Sequence, residues 1–138
     1  MILFKASFDD GTDFKKLVEA ISSNQQIRSF AINHSVFDED FHGKMMAKCV
    51  LDSKSIKELD LSYTIFEENK TFYEMANGLL NEKCRLQAIK LKGIVFNQLE
   101  GKVMQFILER NKSLQTLDIS QTSCDSPETM ENVFTKFD

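Results

Sequence analysis

Four short segments of this chain repeat one pattern of apolar residues at nearly constant spacing. They begin at Ile27, Ile56, Leu86 and Leu114, at intervals of 29, 30 and 28 residues. In each segment the first, fourth and sixth places are apolar, with Phe30 as the one aromatic among them. A fixed period of about 20 to 50 residues is typical of proteins built from stacked structural units. The repeat therefore constrains the fold before any local propensity is considered.

A second recurrence outside these segments supports the same register. Ten residues after each start lies one further apolar residue: Phe37, Phe66, Phe96 or Cys124. One period before the first segment, the corresponding apolar places hold Met1, Leu3 and Phe8. The chain is thus predicted to begin within a first, truncated strand.

Between the repeated segments, apolar residues recur at helical spacing. One such set is Phe41, Met45, Met46, Cys49 and Val50. Spacings of three and four residues are typical of an amphipathic helix, so the methionines and phenylalanines are predicted to be core residues. Ser53, Asn81 and Asn111 lie where these helices should end, and Asp125-Ser-Pro-Glu128 resembles the start of a last one.

The pattern resembles leucine-rich repeats, and its period is similar to that of the ribonuclease-inhibitor-like class. The resemblance implies an α/β solenoid with parallel strands on its concave face, helices on its convex face and about five strand-helix units. These units are approximately 1–26, 27–55, 56–85, 86–113 and 114–138 of a single domain, 1–138. The family usually has Asn or Cys three places after the last aliphatic of the strand, where this chain has Ser35, Thr64, Ile94 and Thr122. The side-chain ladder of the turns is therefore expected to be weak, and broken at Ile94.

A doubly wound α/β domain is the alternative fold. It also alternates strands with helices, but it would not repeat one strand motif in register. The repeat therefore favours the solenoid.

Charge and hydropathy exclude several classes of partner. The 17 basic and 21 acidic residues give a net charge of -4, so no global positive field would hold a nucleic acid. No apolar run is long enough for a signal peptide or a transmembrane helix, so no membrane insertion is expected. Three widely spaced cysteines match neither a disulfide framework nor a metal site. The sequence predicts a soluble intracellular protein with reduced thiols, cytoplasmic in location.

The concave face is the predicted site of protein binding. Side chains between the buried aliphatic places alternate onto that face, including Ala31 and Ser62. The resemblance implies that this face holds a protein ligand. The candidate partner-binding residues are Arg28, Asn33, His34, Glu58, Asp60, Tyr63, Lys90, Lys92, Gln115 and Asp118.

Two features of this face have more specific interpretations. Tyr63 is the predicted anchor, because an aromatic ring with a polar tip among charges is frequent at binding hot spots. Asp60, Lys90 and Asp118 share one place in successive repeats, which predicts a row of alternating charge across the sheet. Mutual neutralisation is favoured over a ligand site, because exposed ion pairs are common and individually weak.

The sequence offers no candidate catalytic site and no cofactor or metal ligands. His34 and His42 lack a companion set of acids and nucleophiles, and each is interpreted as a solvated surface histidine. The acids Asp9-Asp10 and Asp38-Glu39-Asp40 precede helices, where negative charge is favourable, so they are interpreted as capping residues. Phosphate-binding, zinc-protease and serine-hydrolase motifs are missing. The chain is therefore predicted not to be an enzyme.

Both ends of the repeat array are predicted to be open. A final helix would carry Phe134 and Phe137, and Phe4 and Phe8 would lie at the first strand, whose edge invites another chain. The chain is then a fragment of a longer array, or a subunit whose ends another chain covers.

The predicted function is a protein-interaction or scaffold module, acting as a subunit of a larger assembly. Two alternatives are open. One is regulation of a small GTPase or of actin, as in some related repeat proteins, and the other is a structural spacer within a longer solenoid.

Overall fold

The computed structural model describes residues 2–4, 11–125, 128 and 131. Its strands and helices follow one another in a regular order along the chain. The strands are β1 (Ile2–Phe4), β2 (Ser29–Asn33), β3 (Val36–Phe37), β4 (Glu58–Asp60), β5 (Ile65–Phe66), β6 (Ala88–Lys90), β7 (Val95–Phe96), β8 (Thr116–Asp118) and β9 (Ser123–Cys124). The helices with described boundaries are α1 (Gly11–Ser23), α2 (Asp40–Asp52), α3 (Asn69–Leu80) and α4 (Gln98–Arg110).

Five of the strands form one parallel sheet in the order β1-β2-β4-β6-β8. Each strand pairs with the next strand of this sheet, and the register places Phe30, Leu59, Ile89 and Leu117 side by side. Leu3 of β1 lies opposite Ile32, as the period predicts. The prediction that the repeated segments are neighbouring parallel strands is confirmed.

The short strands form a second layer of pairing, just after the main sheet. β3 pairs with β5 and β7 with β9, so that Phe37 lies opposite Phe66 and Phe96 opposite Cys124. This is the recurrence seen ten residues into each repeat. The aromatic rings also meet edge to face, as between Phe37 and Phe66, whose centroids are 5.6 Å apart. These rings extend the hydrophobic core beyond the main sheet.

One hydrophobic core lies between the sheet and the helices. Strand residues such as Leu59 and Ile89 are buried with Met46, Met75 and Met104 of successive helices. Met45, Phe14, Phe41 and Phe72, which the helical spacing assigned to the core, also contact it. Phe106 of α4, assigned to the core in the same way, is 48% exposed, so that prediction was wrong. We call the opposite side of the sheet, away from the helices, the outer face.

Two glycines let α2 and α3 approach closely. A Cβ at Gly43 would overlap the backbone carbonyl of Thr71, and one at Gly78 would lie 2.7 Å from the Cα of Ala47. Backbone therefore packs against backbone at this pair of helices.

The helix ends follow the sequence prediction. Ser53, Asn81 and Asn111 are the C-caps of α2, α3 and α4. Each side chain then accepts hydrogen bonds from the chain as it returns to the next strand, as when Asn111 Oδ1 accepts from the amide of Leu114 at 2.7 Å. Such bonds satisfy backbone donors that a turn otherwise leaves unpaired.

The ladder of turn side chains is irregular, as expected. Thr64 Oγ1 donates to the carbonyl of Ile32 in the preceding repeat at 3.1 Å. The hydroxyls of Ser35 and Thr122 donate within their own repeats. Ile94 is buried and has no polar side-chain atom, so it contributes nothing to the ladder.

Several predictions fall outside the described residues. They concern Met1, Phe8, Asp9-Asp10, Pro127, Phe134 and Phe137. Of the expected last helix, Glu128 and Glu131 are described, and both are helical. Within the described part of the chain, no helix has the length and apolar character needed to cross a membrane.

Candidate protein-binding face

The structure places five of the ten predicted partner-binding residues within strands of the main sheet and three directly next to its strands. Tyr63 and Lys92 lie in the turns, three and two residues after β4 and β6. Arg28, His34 and Gln115 are exposed, and the other seven are half-buried. Ala31 and Ser62, also expected to be exposed, are buried at 4% and 6% exposure. Both side chains are too short to extend past their neighbours in the sheet, so these two assignments were wrong.

An ion pair on the outer face joins two adjacent strands. Lys90 Nζ lies 2.6 Å from Glu58 Oε1, and this bond raises the pKa of Lys90 above its usual value. The register also places Asp60 and Asp118 on either side of Lys90, so the predicted row of alternating charge exists. Lys90 nevertheless pairs with Glu58, which lies two residues before Asp60 on β4.

Both aspartates of this charged row accept hydrogen bonds from the turns that follow their own strands. Asp60 Oδ1 accepts from the amide of Ser62 at 2.9 Å. Asp118 Oδ1 accepts from the amide and the hydroxyl of Ser120, at 2.9 and 2.6 Å, and these bonds lower the pKa of Asp118. These contacts favour a structural role for the row over a ligand site.

Four residues at one place of the repeat share a left-handed backbone. His34, Tyr63, Gly93 and Gln121 have φ angles of 53°, 59°, 69° and 56°. Each lies two residues after the last buried aliphatic of its strand. A positive φ is uncommon for residues other than glycine, and its recurrence shows that the chain turns in the same way after every one of these strands.

Tyr63 contacts the other three residues that have a left-handed backbone. Its ring stacks on the imidazole of His34, with centroids 4.5 Å apart and planes at 15°. It covers Gly93, where a Cβ would overlap the ring. Its hydroxyl donates to Gln121 Oε1 at 2.7 Å, two repeats away. The predicted anchor is thus fixed in one orientation, which lowers the entropy lost on binding.

His42 is not a solvated surface residue, contrary to the sequence interpretation. It is 7% exposed, stacks on Phe37 at 5.5 Å and meets Phe14 edge to face at 5.0 Å. Its Nδ1 has no hydrogen-bond partner, although Asp38 Oδ1 lies 3.4 Å away. Its position three and four residues before Met45 and Met46 was the signal that it belongs to the core side of α2.

The acids before α2 lie at the helix start but do not cap it by side-chain bonds. Glu39 is the N-cap residue and makes no side-chain capping bond. Asp40 instead lies 2.9 Å from Lys70 Nζ and 3.1 Å from Lys44 Nζ, and the bond to Lys70 above all lowers the pKa of Asp40 to about 2. This triad links α2 to α3 at the surface.

Sequence reasoning missed a row of exposed aliphatic residues. Val36, Ile65 and Val95 are 46%, 58% and 68% exposed and occupy the same place of three successive repeats. We call them the aliphatic row. Alternation with the buried Phe37 and Phe96 was the signal that could have shown them.

The described residues offer few features of an active site. Among them, no group of three or more His, Cys, Asp or Glu side chains could hold a metal ion. Cys49, Cys84 and Cys124 are unbridged. Burial raises the pKa of Cys49 to about 11, which disfavours its reactive thiolate.

Comparisons with known proteins relate this chain to one fold. No family model and no curated protein sequence matches it. Among solved structures, it is similar to that of leiomodin-1 actin-binding site 2, with a TM-score of 0.71 and 16% sequence identity. The match covers 99% of this chain and 76% of the other. Together with the parallel strands, this similarity shows a mixed α/β fold of the leucine-rich-repeat kind.

Proposed function

We propose that this chain is a protein-interaction module, without enzymatic activity or cofactor, whose partner binds the outer face of the main sheet. In this proposal the chain forms one leucine-rich-repeat solenoid of the ribonuclease-inhibitor-like class. The solenoid has five units, and the outer face is its concave wall. It takes the module to be a scaffold component of a larger intracellular assembly.

The arrangement of the outer face carries this proposal. Ten polar, charged or aromatic side chains lie along one sheet while the described helices pack on its other side. A wide and varied surface of this kind suits a macromolecule better than a small ligand, which prefers an enclosed apolar pocket. Both histidines support a non-enzymatic role, because His34 stacks on Tyr63 and His42 is enclosed by phenylalanines.

Side chains of the outer face differ in how they are held. Tyr63 and the Glu58–Lys90 pair are held by neighbours within the sheet. Arg28, by contrast, is exposed at the start of its strand. We expect Tyr63 to supply most of the affinity, since a few rigid aromatic anchors dominate typical interfaces.

Charge reversal on the outer face tests the proposal. Arg28→Glu with Lys92→Glu changes two basic residues there, and Lys102→Glu with Lys112→Glu makes the same change in net charge on and after α4. The partner is identified by affinity purification and mass spectrometry, and its affinity for each purified variant is then measured by calorimetry. We expect the outer-face variant to bind at least about tenfold more weakly, a loss of about 1.4 kcal/mol. Equal affinity of the two variants would reject the outer face as the binding site.

Actin is a second candidate partner, because the similar solved structure is an actin-binding site of leiomodin-1. The test is sedimentation with filaments and calorimetry with monomeric actin, using leiomodin-1 actin-binding site 2 as the positive control. Binding to either form that the outer-face variant loses would support this candidate. A failure to bind both forms would remove it and leave the general proposal standing.

The ends of the sheet are a further proposed contact. β1 and β8 are its two edge strands, and edges invite pairing with another chain. In β8, Leu117 is half-buried, whereas its counterparts Leu59 and Ile89 are 1% and 0% exposed. We propose that a neighbouring chain covers an end of the sheet in the assembly.

A further inference from the structure

The aliphatic row lies on the short strands that follow the main sheet and shares no residue with the outer face. Val36 of β3 lies directly opposite Ile65 of β5, and Val95 holds the same place in the next repeat. Neighbouring parallel strands lie about 4.8 Å apart, so the side chains of Val36 and Ile65 are adjacent. Val36 and Ile65 therefore form one apolar patch, and Val95 lies one repeat further on, in the separate pair of β7 with β9.

The residues that alternate with the row fix it in place. Phe37 and Phe96 follow Val36 and Val95 and are 1% and 2% exposed. Because successive strand residues point to opposite faces, burial of the phenylalanines holds the aliphatic side chains on the surface. The exposure of the aliphatic row is therefore determined by the alternation of side chains along these strands.

Carboxylates follow the row immediately along the chain. Asp38 and Glu39 come directly after β3, and Glu67 and Glu68 directly after β5, and all four residues are exposed. We call these four residues the acidic border.

Two members of the acidic border lie at helix starts without serving as side-chain caps. Glu39 and Glu68 are the N-caps of α2 and α3, and neither makes a side-chain capping bond. The corresponding residue of α4, Asn97, does cap its helix, with its side chain 2.9 Å from the amide of Glu100. Helix capping therefore does not occupy these two carboxylates, which remain at the surface beside the aliphatic row.

We propose that the aliphatic row and the acidic border together bind a basic amphipathic segment of a protein partner. Apolar side chains of that segment would cover Val36, Ile65 and Val95, and its Lys or Arg side chains would pair with the acidic border. Charge complementarity selects this occupant, because carboxylates beside the row repel an anionic membrane surface, a nucleic acid or an acidic segment. The inference does not depend on the outer face, since it uses none of the ten residues proposed there.

A selection from a random peptide library on phage, with peptides of about 16 residues, tests the inference without assuming a partner. Wild-type protein is the target, and the Val36→Ser, Ile65→Ser variant is used to remove peptides that bind elsewhere. We expect the surviving peptides to combine aliphatic or aromatic residues with a net positive charge. A selection that yields no surviving peptides, or yields neutral or acidic ones, would overturn the proposal.

Matched variants then measure the affinity of one selected synthetic peptide. Val36→Ser with Ile65→Ser should weaken binding about tenfold or more, as expected when central apolar contacts are lost. Leu99→Ser with Phe106→Ser is the control, because Leu99 and Phe106 are 54% and 48% exposed on α4. Similar losses in both variants would contradict the assignment to the row.

The acidic border has its own control. Glu67→Gln with Glu68→Gln should weaken binding and reduce its dependence on salt, whereas Asp52→Asn with Glu82→Gln, which also removes two exposed acids, should change neither. Unchanged salt dependence in the first variant would contradict the charge pairing.

Two further measurements separate the possible occupants and surfaces. The outer-face variant Arg28→Glu, Lys92→Glu should bind the peptide like wild type, so failure of the outer-face proposal leaves this one intact. If the protein instead associates with itself in sedimentation equilibrium and Ile65→Ser abolishes that association, the occupant is a second copy and the proposal is wrong.

Discussion

Gly93→Ala should destabilise the protein through Tyr63 as well as through the backbone. Gly93 has a φ of 69°, and an added Cβ would overlap the Tyr63 ring. The ring would have to move, which would break its stack on His34 and its hydrogen bond to Gln121. One methyl group thus disturbs contacts that link four successive repeats.

The expected cost follows from these separate effects. A left-handed conformation costs an alanine about 1–2 kcal/mol, of which the lower flexibility of the unfolded chain offsets about 0.4–1 kcal/mol. Loss of the aromatic stack costs about 0.5–1.5 kcal/mol, and loss of the exposed hydrogen bond about 0.5 kcal/mol. The free energy of unfolding should therefore fall by about 2 kcal/mol, more than half of it through Tyr63.

A double-mutant cycle in urea, followed by circular dichroism, measures both parts. In a Tyr63→Ala background, Gly93→Ala should cost about 1 kcal/mol less than in the wild type, because the ring it displaces is gone. Equal costs in the two backgrounds would refute the contact between Tyr63 and Gly93. A cost near zero in the wild type would refute the left-handed backbone as well.

Three further predictions concern single side chains. The pKa of Asp40, lowered from 3.8 to about 2 by its two lysine partners, makes a contribution to stability that is complete above about pH 4 and lost as the pH falls towards 2. Asp40→Asn should therefore flatten the dependence of unfolding free energy on pH in that window, and an unchanged slope in urea titrations would contradict the pairing. Asn111→Ala should destabilise the protein by about 2 kcal/mol in the same urea assay, because two backbone amides lose their acceptor, whereas Lys112→Ala should have little effect. In brief alkylation at pH 8 followed by mass spectrometry, half-buried Cys124 should react before Cys49, whose pKa burial raises to about 11, and equal labelling would contradict that burial.

The sequence repeat predicts those features of the fold that depend on which apolar residues are buried. The positions of Leu59, Ile89 and Leu117 determine the register of the sheet, because moving a strand by one residue would turn its buried side chains to the surface. The recurrence of Phe37 and Phe66 predicts their pairing for the same reason.

Backbone conformation and side-chain pairing were harder to predict. His34, Tyr63, Gly93 and Gln121 share no chemistry, so nothing in their side chains shows a common left-handed turn. The left-handed turn follows from the direction in which the chain leaves the sheet. The side chains within the turn adapt to that direction.

Which side chains pair on the outer face depends on the length of each side chain rather than on the register of the strands. Lys90 lies opposite Asp60 and Asp118, yet both carboxylates accept bonds from their own turns, so its long side chain reaches Glu58 instead. Ala31 is likewise buried because the side chains around it are longer, and the pattern of apolar residues in the sequence does not show this.

The shared parallel register of the repeats is the central claim, and nuclear Overhauser effects between backbone protons test it most directly. The structure predicts amide-to-Hα contacts of the parallel type linking Leu59 with Ile89 and Ile89 with Leu117. Strong Hα-to-Hα contacts between these segments, typical of antiparallel pairs, or no contacts between them at all, would contradict it.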